Sequence, residues 1–255
     1  MTDEQLSFTA HLVELRKRLI ISVGVWLVCF FASYSQAERI FQFIVEPVRK
    51  ALPKGSSLVF ITPIEPFFTY MKIAALTGFV IALPIILWQA WSFIAPGLYA
   101  KEKRFAIPFV LTSCLCFAAG TFFGFTYVYP KVFTFLIWFG TNTGDINAML
   151  SMGAYLSLSI KLLSAFGVIF ELPIVIFFLA RMGVVDYKWL SKHRKYALLV
   201  AFIVGALLTP PDVFSQCAVA FPFIALYEVG IIVARLFGKK KPDLAPEAEP
   251  SEPAK

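Results

Sequence analysis

The chain has 255 residues, of which 59% are hydrophobic and only 15% charged, with a formal net charge of +7. A soluble domain of this size would hold roughly a quarter charged residues. A water-soluble globular fold is therefore excluded, and an integral membrane domain built on spans of about 20 apolar residues is expected.

Residues 1–18 read as a short amphipathic lead-in, with Leu12, Leu15 and Leu19 at helical spacing. It contains His-Leu-Val-Glu-Leu-Arg-Lys-Arg at residues 11–18, which sets the carboxylate of Glu14 among cations. Residues 19–37 carry no charge. That run is too long for a signal core, and no small-residue cleavage site follows, so a retained helix is expected. Between residues 36 and 66, Ile40, Phe41, Ile44 and Val48 mark a short amphipathic helix, and Pro47, Pro53, Pro63 and Pro66 punctuate a structured outer cap. A second uncharged run covers 73–100 and a third 105–130. Between them lies Pro-Gly-Leu-Tyr-Ala-Lys-Glu-Lys-Arg at residues 96–104, with a second carboxylate, Glu102. A fourth run, 152–180, is broken only by Lys161 and Glu171, and shorter runs cover 196–211 and 213–227.

The expected fold is all-α: six transmembrane helices in one domain, residues 1–237, followed by a disordered tail over 238–255 that is rich in Lys, Pro, Ala and Glu. Pro84, Pro108, Pro173 and Pro222 fall inside apolar runs. Each bends or breaks its helix, which predicts a concave wall rather than a straight bundle. The fifth run gives about 24 Å of helix, short of a hydrocarbon core about 30 Å thick. The last two helices are accordingly expected to be short, with the bilayer thinned around them, because Pro210-Pro211-Asp212 is a polar turn that should reach water.

Six alternating spans put sixteen of the 23 Lys and Arg residues on one side and five on the other. The positive-inside bias then places both termini in the cytoplasm. The net charge is a topology signal and does not point to nucleic acid. Glu14 and Glu102 fall on the same side. Two such carboxylates can grip guanidinium groups, which match them through paired hydrogen bonds.

Within the fourth run Ser157, Ser164 and Glu171 recur every seven residues, with Lys161 on a neighbouring row, so all four fit an arc of about 80°. This polar stripe is expected to line a cavity; the alternative is a buried carboxyl that ties helices together. Lys72 and Lys161 lie near span ends and can snorkel to headgroups. Asp212, Ser215 and Gln216 follow the Pro-Pro turn, and Glu228 is expected to pair with Arg235. Ala197, Ala201 and Gly205, like Gly120 and Gly124, follow a small-xxx-small pattern. The pattern suits close helix packing, either internal or, on the fifth span, against an external partner helix. His11 and His193 lie in basic segments outside the spans, so no intramembrane base or metal ligand is expected. There is no glycine-rich phosphate loop, and the four cysteines suggest neither a metal site nor a disulfide framework. No enzyme activity and no cofactor are expected. A rival reading, a proton-coupled solute transporter using Glu171, is weakened by the lack of a visible internal repeat.

The segment at residues 11–18 is joined by four others: Trp91, Phe93, Pro96, Gly97, Leu98, Tyr99 and Glu102; Phe166, Gly167, Phe170, Glu171 and Pro173; Thr209, Pro210, Pro211, Asp212, Ser215 and Gln216; and Leu226, Tyr227 and Glu228. In this order and topology the chain resembles the TatC family, the multi-span receptor subunit of the twin-arginine protein translocase. The resemblance implies a receptor for folded precursors with twin-arginine signal peptides, driven by the proton-motive force in the bacterial inner membrane. It implies single-span partners TatA and TatB and a homo-oligomer within a larger complex in membrane lipid. It assigns signal-peptide contact to Glu14 and Glu102, with Arg16, Phe93 and Leu98 alongside. It also implies an intramembrane polar site at Glu171 and Ser164, further roles for Pro47, Asp212 and Gln216, and partner-helix docking along Ala197, Ala201 and Gly205.

Overall fold

The computed structural model describes residues 3–52, 56–94, 106–142 and 149–238. The expected tail beyond residue 238, and the loop carrying Leu98 and Glu102, lie outside the described residues. The first helix, α1 (Asp3–Tyr34), runs unbroken from the lead-in through the first apolar run. Leu12, Leu15 and Leu19 stay exposed on it, as a surface meant for lipid rather than water should. After a bend of 77°, α2 (Ala37–Ala51) lies across the top of the molecule. Of its predicted apolar stripe, Phe41, Ile44 and Val48 are buried and Ile40 is half-buried, and Val45, not named from the sequence, is buried beside them.

The second long helix, α3 (Glu65–Ile94), is uncharged from residue 73 onward. Its first two turns, with Glu65, therefore belong to the cap, and the remainder crosses the membrane. The third crossing joins α4 (Ala106–Phe123), one π turn (Gly124–Val128) and α5 (Tyr129–Thr141). Pro130 near the start of α5 cannot donate to the preceding turn, and the wide π turn absorbs that missing bond. The fourth crossing is α6 (Met152–Phe170) and α7 (Leu172–Met182), broken at Glu171 just ahead of Pro173. A short α8 (Tyr187–Lys192) leads to α9 (Arg194–Leu208) and α10 (Val213–Phe237).

Among the described residues, four helices are long and apolar enough to cross a membrane, and the bent α1–α2 pair would make a fifth. The predicted fifth crossing, α9, has 15 residues, about 22 Å of helix. The predicted shortness of the last crossing is corrected: α10 has 25 residues and runs past Tyr227 to Phe237. Glu228 does not stop it, because Arg194 neutralises that carboxylate from α9 at 2.7 Å. The expected Glu228–Arg235 pairing is corrected by the same contact. Pro84 and Pro222 lie inside intact helices, Pro108 sits in the first turn of α4, and only Pro173 coincides with a helix break.

The core gathers around Tyr129, Leu156, Leu162 and Phe166, all fully buried. A Cβ on Gly120 would stand 2.3 Å from the Phe166 carbonyl oxygen, so α4 and α6 touch at their backbones there. The expected small-residue seam of Gly120 and Gly124 is internal packing. Above the crossings, β1 (Ser57–Val59) pairs in parallel with β2 (Met149–Ser151) and stitches the two cap segments together.

Candidate functional site

The end of the molecule opposite the cap carries an open cleft of about 550 Å³ between α1 and α3, lined by Glu14, Lys17, Arg18, Trp88 and Gln89 among others. Arg18 lies one turn after Glu14, and its Nε and Nη2 donate to Glu14 Oε1 at 3.0 and 2.5 Å. Its Nη1 donates to Gln89 Oε1 at 3.2 Å, which ties the pair to α3. The Glu14 side chain remains 35% exposed, and both contacts fall on one of its two oxygens. One turn before Glu14, His11 stacks on Phe93 with ring centroids 4.2 Å apart. The base of this end is held by Trp91, 3% exposed, between Phe109 and Phe178.

The structure thus sets Glu14 in the cleft, places Phe93 against His11 one turn away at the same end, and leaves Arg16 exposed nearby on α1. Arg18, Gln89 and His11 were not singled out from sequence. The spacing of four between Glu14 and Arg18 was a visible signal; the polar Gln89 inside an apolar run was another. Leu98 and Glu102 fall among the residues the structure does not describe.

Glu171 sits at the junction of α6 and α7, with its backbone oxygen accepting from Ile174 at 3.0 Å and Val175 at 2.9 Å. Ten residues separate it from Lys161 and ten from Arg181, about 15 Å of helix each way. It therefore lies midway between the two charges that bracket this crossing. Ser113 of α4 is the polar side chain facing it. Glu171 Oε1 and Ser113 Oγ are buried, and neither has a partner at hydrogen-bonding geometry among the described residues. The predicted stripe grades in exposure: Lys161 is exposed, whereas Ser157, Ser164 and Glu171 are half-buried.

The cap residues act by positioning. Pro47 withholds a donor from its own helix. Three residues before it, the Ile44 carbonyl accepts from Tyr129 Oη at 2.9 Å and Tyr155 Oη at 3.0 Å, whereas the carbonyl that Pro47 leaves without its helical donor is that of Phe43. This double tyrosine anchor had no sequence signature. Glu65 accepts from the Ser151 hydroxyl and the Gly153 and Ile61 amides. The Ser151 hydroxyl first, then those amides, hold its carboxyl down to about 2. A Cβ on Gly153 would stand 2.9 Å from Glu65 Oε1, so this cradle needs glycine.

Asp212 caps α10, its Oδ1 accepting from Ser215 N at 2.7 Å. Gln216 reaches across to donate to Phe202 O of α9 at 2.9 Å. On α9, Ala201 is fully buried, and a Cβ on Gly205 would meet Gln216 O at 3.0 Å. Of the three residues expected to receive an external helix, Gly205 is thus covered by α10 and Ala201 is buried within the chain. The stripe is an internal seam, and α9 turns Leu199, Ile203 and Leu207 outward instead.

Long apolar helices, a laced polar cap at one end and a carboxylate-bearing cleft at the other define a polytopic α-helical membrane protein. Residues 10–222 match the family model described as Sec-independent protein translocase protein (TatC). A Sec-independent protein translocase protein TatC of Desulforapulum autotrophicum is 46% identical over 242 residues, covering 94% of this chain and 88% of that protein. The TatC of Aquifex aeolicus is 39% identical, covering 94% of this chain and 99% of that protein. A solved structure described as the twin arginine translocase receptor TatC superposes with a TM-score of 0.81 at 39% identity, over 89% of this chain and 98% of that one. The chain belongs to the TatC family.

Proposed function

We propose that the chain is the receptor and core subunit of a twin-arginine translocase, without catalytic chemistry of its own. The observation that carries this reading is the likeness, over nearly the whole chain, to a structure described as the twin arginine translocase receptor. Family membership favours it over the rival solute transporter. In this reading the protein lies in the bacterial inner membrane with the Glu14 cleft and both termini in the cytoplasm, consistent with the Lys and Arg bias.

The signal peptide's two arginines bind Glu14 and Glu102, with Phe93 and Leu98 beside them and Arg16 at the rim. Glu14 supports this role by its exposure and by an oxygen, Oε2, with no partner among the described residues. Arginine is favoured over lysine because a planar guanidinium bonds a carboxylate through two parallel contacts. The apolar part of the signal then inserts along the wall, where Glu171 and Ser164 offer it polar contact. TatA and TatB helices dock beside α9, in copies of this chain assembled within a larger complex, and the proton-motive force drives transport. Pro47, Asp212 and Gln216 support transport by fixing the cap and the α9–α10 hairpin.

Pull-down of a twin-arginine precursor by the full chain, against its Lys-Lys counterpart, tests the receptor reading; equal capture of both sinks it. Undiminished capture by the Glu14→Gln/Glu102→Gln double variant rejects the site assignment alone.

A further inference from the structure

Lys72 and Lys161, on two neighbouring crossing helices toward the cap side, have no ion pair among the described residues. Lys72, exposed on α3, donates to Ser157 Oγ of α6 at 2.9 Å. Lys161 is exposed one turn further along the same face of α6. The nearest acid along α3 is Glu65, two turns away, and its carboxylate is already held by Ser151, Gly153 and Ile61.

Position decides what these ammonium groups meet. From Lys161 to Arg181 there are twenty residues, about 30 Å of helix, which is the thickness of a hydrocarbon core. Apart from Glu171, the stretch between them is uncharged. With Arg181 at one headgroup layer, Lys161 stands at the other. The Lys72–Ser157 hydrogen bond brings Lys72 to within about one turn of that level. An ammonium left facing hydrocarbon is costly, and a lysine relieves that cost by reaching the phosphate layer.

We propose that Lys72, Ser157 and Lys161 form a binding site for the phosphodiester of a phospholipid headgroup in the cap-side leaflet. Two ammonium groups on adjacent helices supply opposite charge and several donors, and the Ser157 hydroxyl supplies one more. The lipid's chains run down the exposed apolar surface of α3 and α6, where Phe79, Val80 and Val168 stand open. The site is separate from the Glu14 cleft, at the opposite end of the molecule.

The test is native mass spectrometry of the full chain in detergent, titrated with phosphatidylglycerol, with an uncharged diacyl glycolipid, and with soluble glycerol 3-phosphate. One phosphatidylglycerol is expected to be retained in preference to the glycolipid. The Lys72→Gln/Lys161→Gln variant should weaken that retention by about thirtyfold, the effect of two lysines near a membrane surface. The Lys72→Arg/Lys161→Arg variant should keep it, which controls for folding. Lys192→Gln, exposed on α8 at the other end, should leave it unchanged. Undiminished retention in the double glutamine variant overturns the site. So does an equal loss in Lys192→Gln, which would mean general electrostatics. Competition by glycerol 3-phosphate at the lipid's own concentration would show a soluble phosphate ester as the ligand and overturn the lipid assignment.

Discussion

Replacing Gly120 with alanine should destabilise the chain, and the structure fixes how. The added Cβ would lie 2.3 Å from the Phe166 carbonyl oxygen and 2.7 Å from Phe170 Cβ. An ordinary contact is about 3.5 Å or more, so α4 and α6 would have to separate by roughly 1 Å. A gap of that size forfeits a quarter to a half of each dispersion contact along the seam. Overpacking of this kind costs about 1–3 kcal/mol, against a gain of about 1 kcal/mol from replacing glycine within a helix. A net loss of about 1 kcal/mol should lower the thermal midpoint in detergent by about 2–4 °C for a domain of this size. Gly24→Ala is the control, because no atom lies within 4 Å of its added Cβ; it should hold or slightly raise the midpoint. A Gly120→Ala protein that melts with the parent would refute the backbone contact between α4 and α6.

The Glu65 cradle predicts a pH-dependent cap. Its folded pKa of about 2 lies below the ordinary 4.5, so its contribution is complete above the ordinary value and disappears as pH falls through about 2. Hydrogen exchange at the Ile61 and Gly153 amides should quicken across that window, and Glu65→Gln should abolish the dependence. Tyr129→Phe and Tyr155→Phe should each cost about 1 kcal/mol, and together more than the sum, because both phenols bond the Ile44 carbonyl; strict additivity in melting would refute the shared anchor. The Arg194–Glu228 pair is half-exposed, so Arg194→Gln should shift stability by no more than about 1 kcal/mol, and a larger change in midpoint would mean the pair braces α9. Glu171→Leu should stabilise the isolated chain by about 1–3 kcal/mol by removing an unpartnered buried oxygen, while lowering export; a destabilised variant would contradict that orphaned state.

What the sequence made legible was whatever depends on local spacing. The amphipathic stripe of α2 follows from Ile40, Phe41, Ile44 and Val48, and the break at Glu171 follows from Pro173 two residues on. Glu14 was legible because an acid among cations before a span is unusual. What escaped depends on distant pairing. Glu228 has Arg235 on its own helix face, yet its partner is Arg194, 34 residues earlier, because α9 and α10 fold back on each other. Ala201 and Gly205 read equally well as an external or an internal seam. Only the register of α10, with Gln216 against Gly205, decides for the inside. The length of α10 was underestimated for a related reason: a charge ends an apolar run in sequence, but a neutralised charge does not end a helix.

The carboxylates along the molecule differ in exposure and in what holds them, and that difference bears on function. At the cap, Glu65, Tyr129 and Tyr155 have intramolecular partners that lock strands, helices and loops together, and Asp212 caps α10 through Oδ1 while its Oδ2 is buried with no partner among the described residues. At the opposite end, the part-exposed Glu14 bonds Arg18 through one oxygen and has no partner for the other among the described residues, and in the middle Glu171 and Ser113 have buried oxygens with no partner among the described residues. A fold gains stability by closing every such group. In the proposed reading the carboxylates of Glu14 at the cleft and Glu171 at mid-membrane are the ones a guest meets. Their order, an exposed carboxylate first and a half-buried one about midway across the membrane, suits a guest whose cationic part arrives before its apolar part inserts.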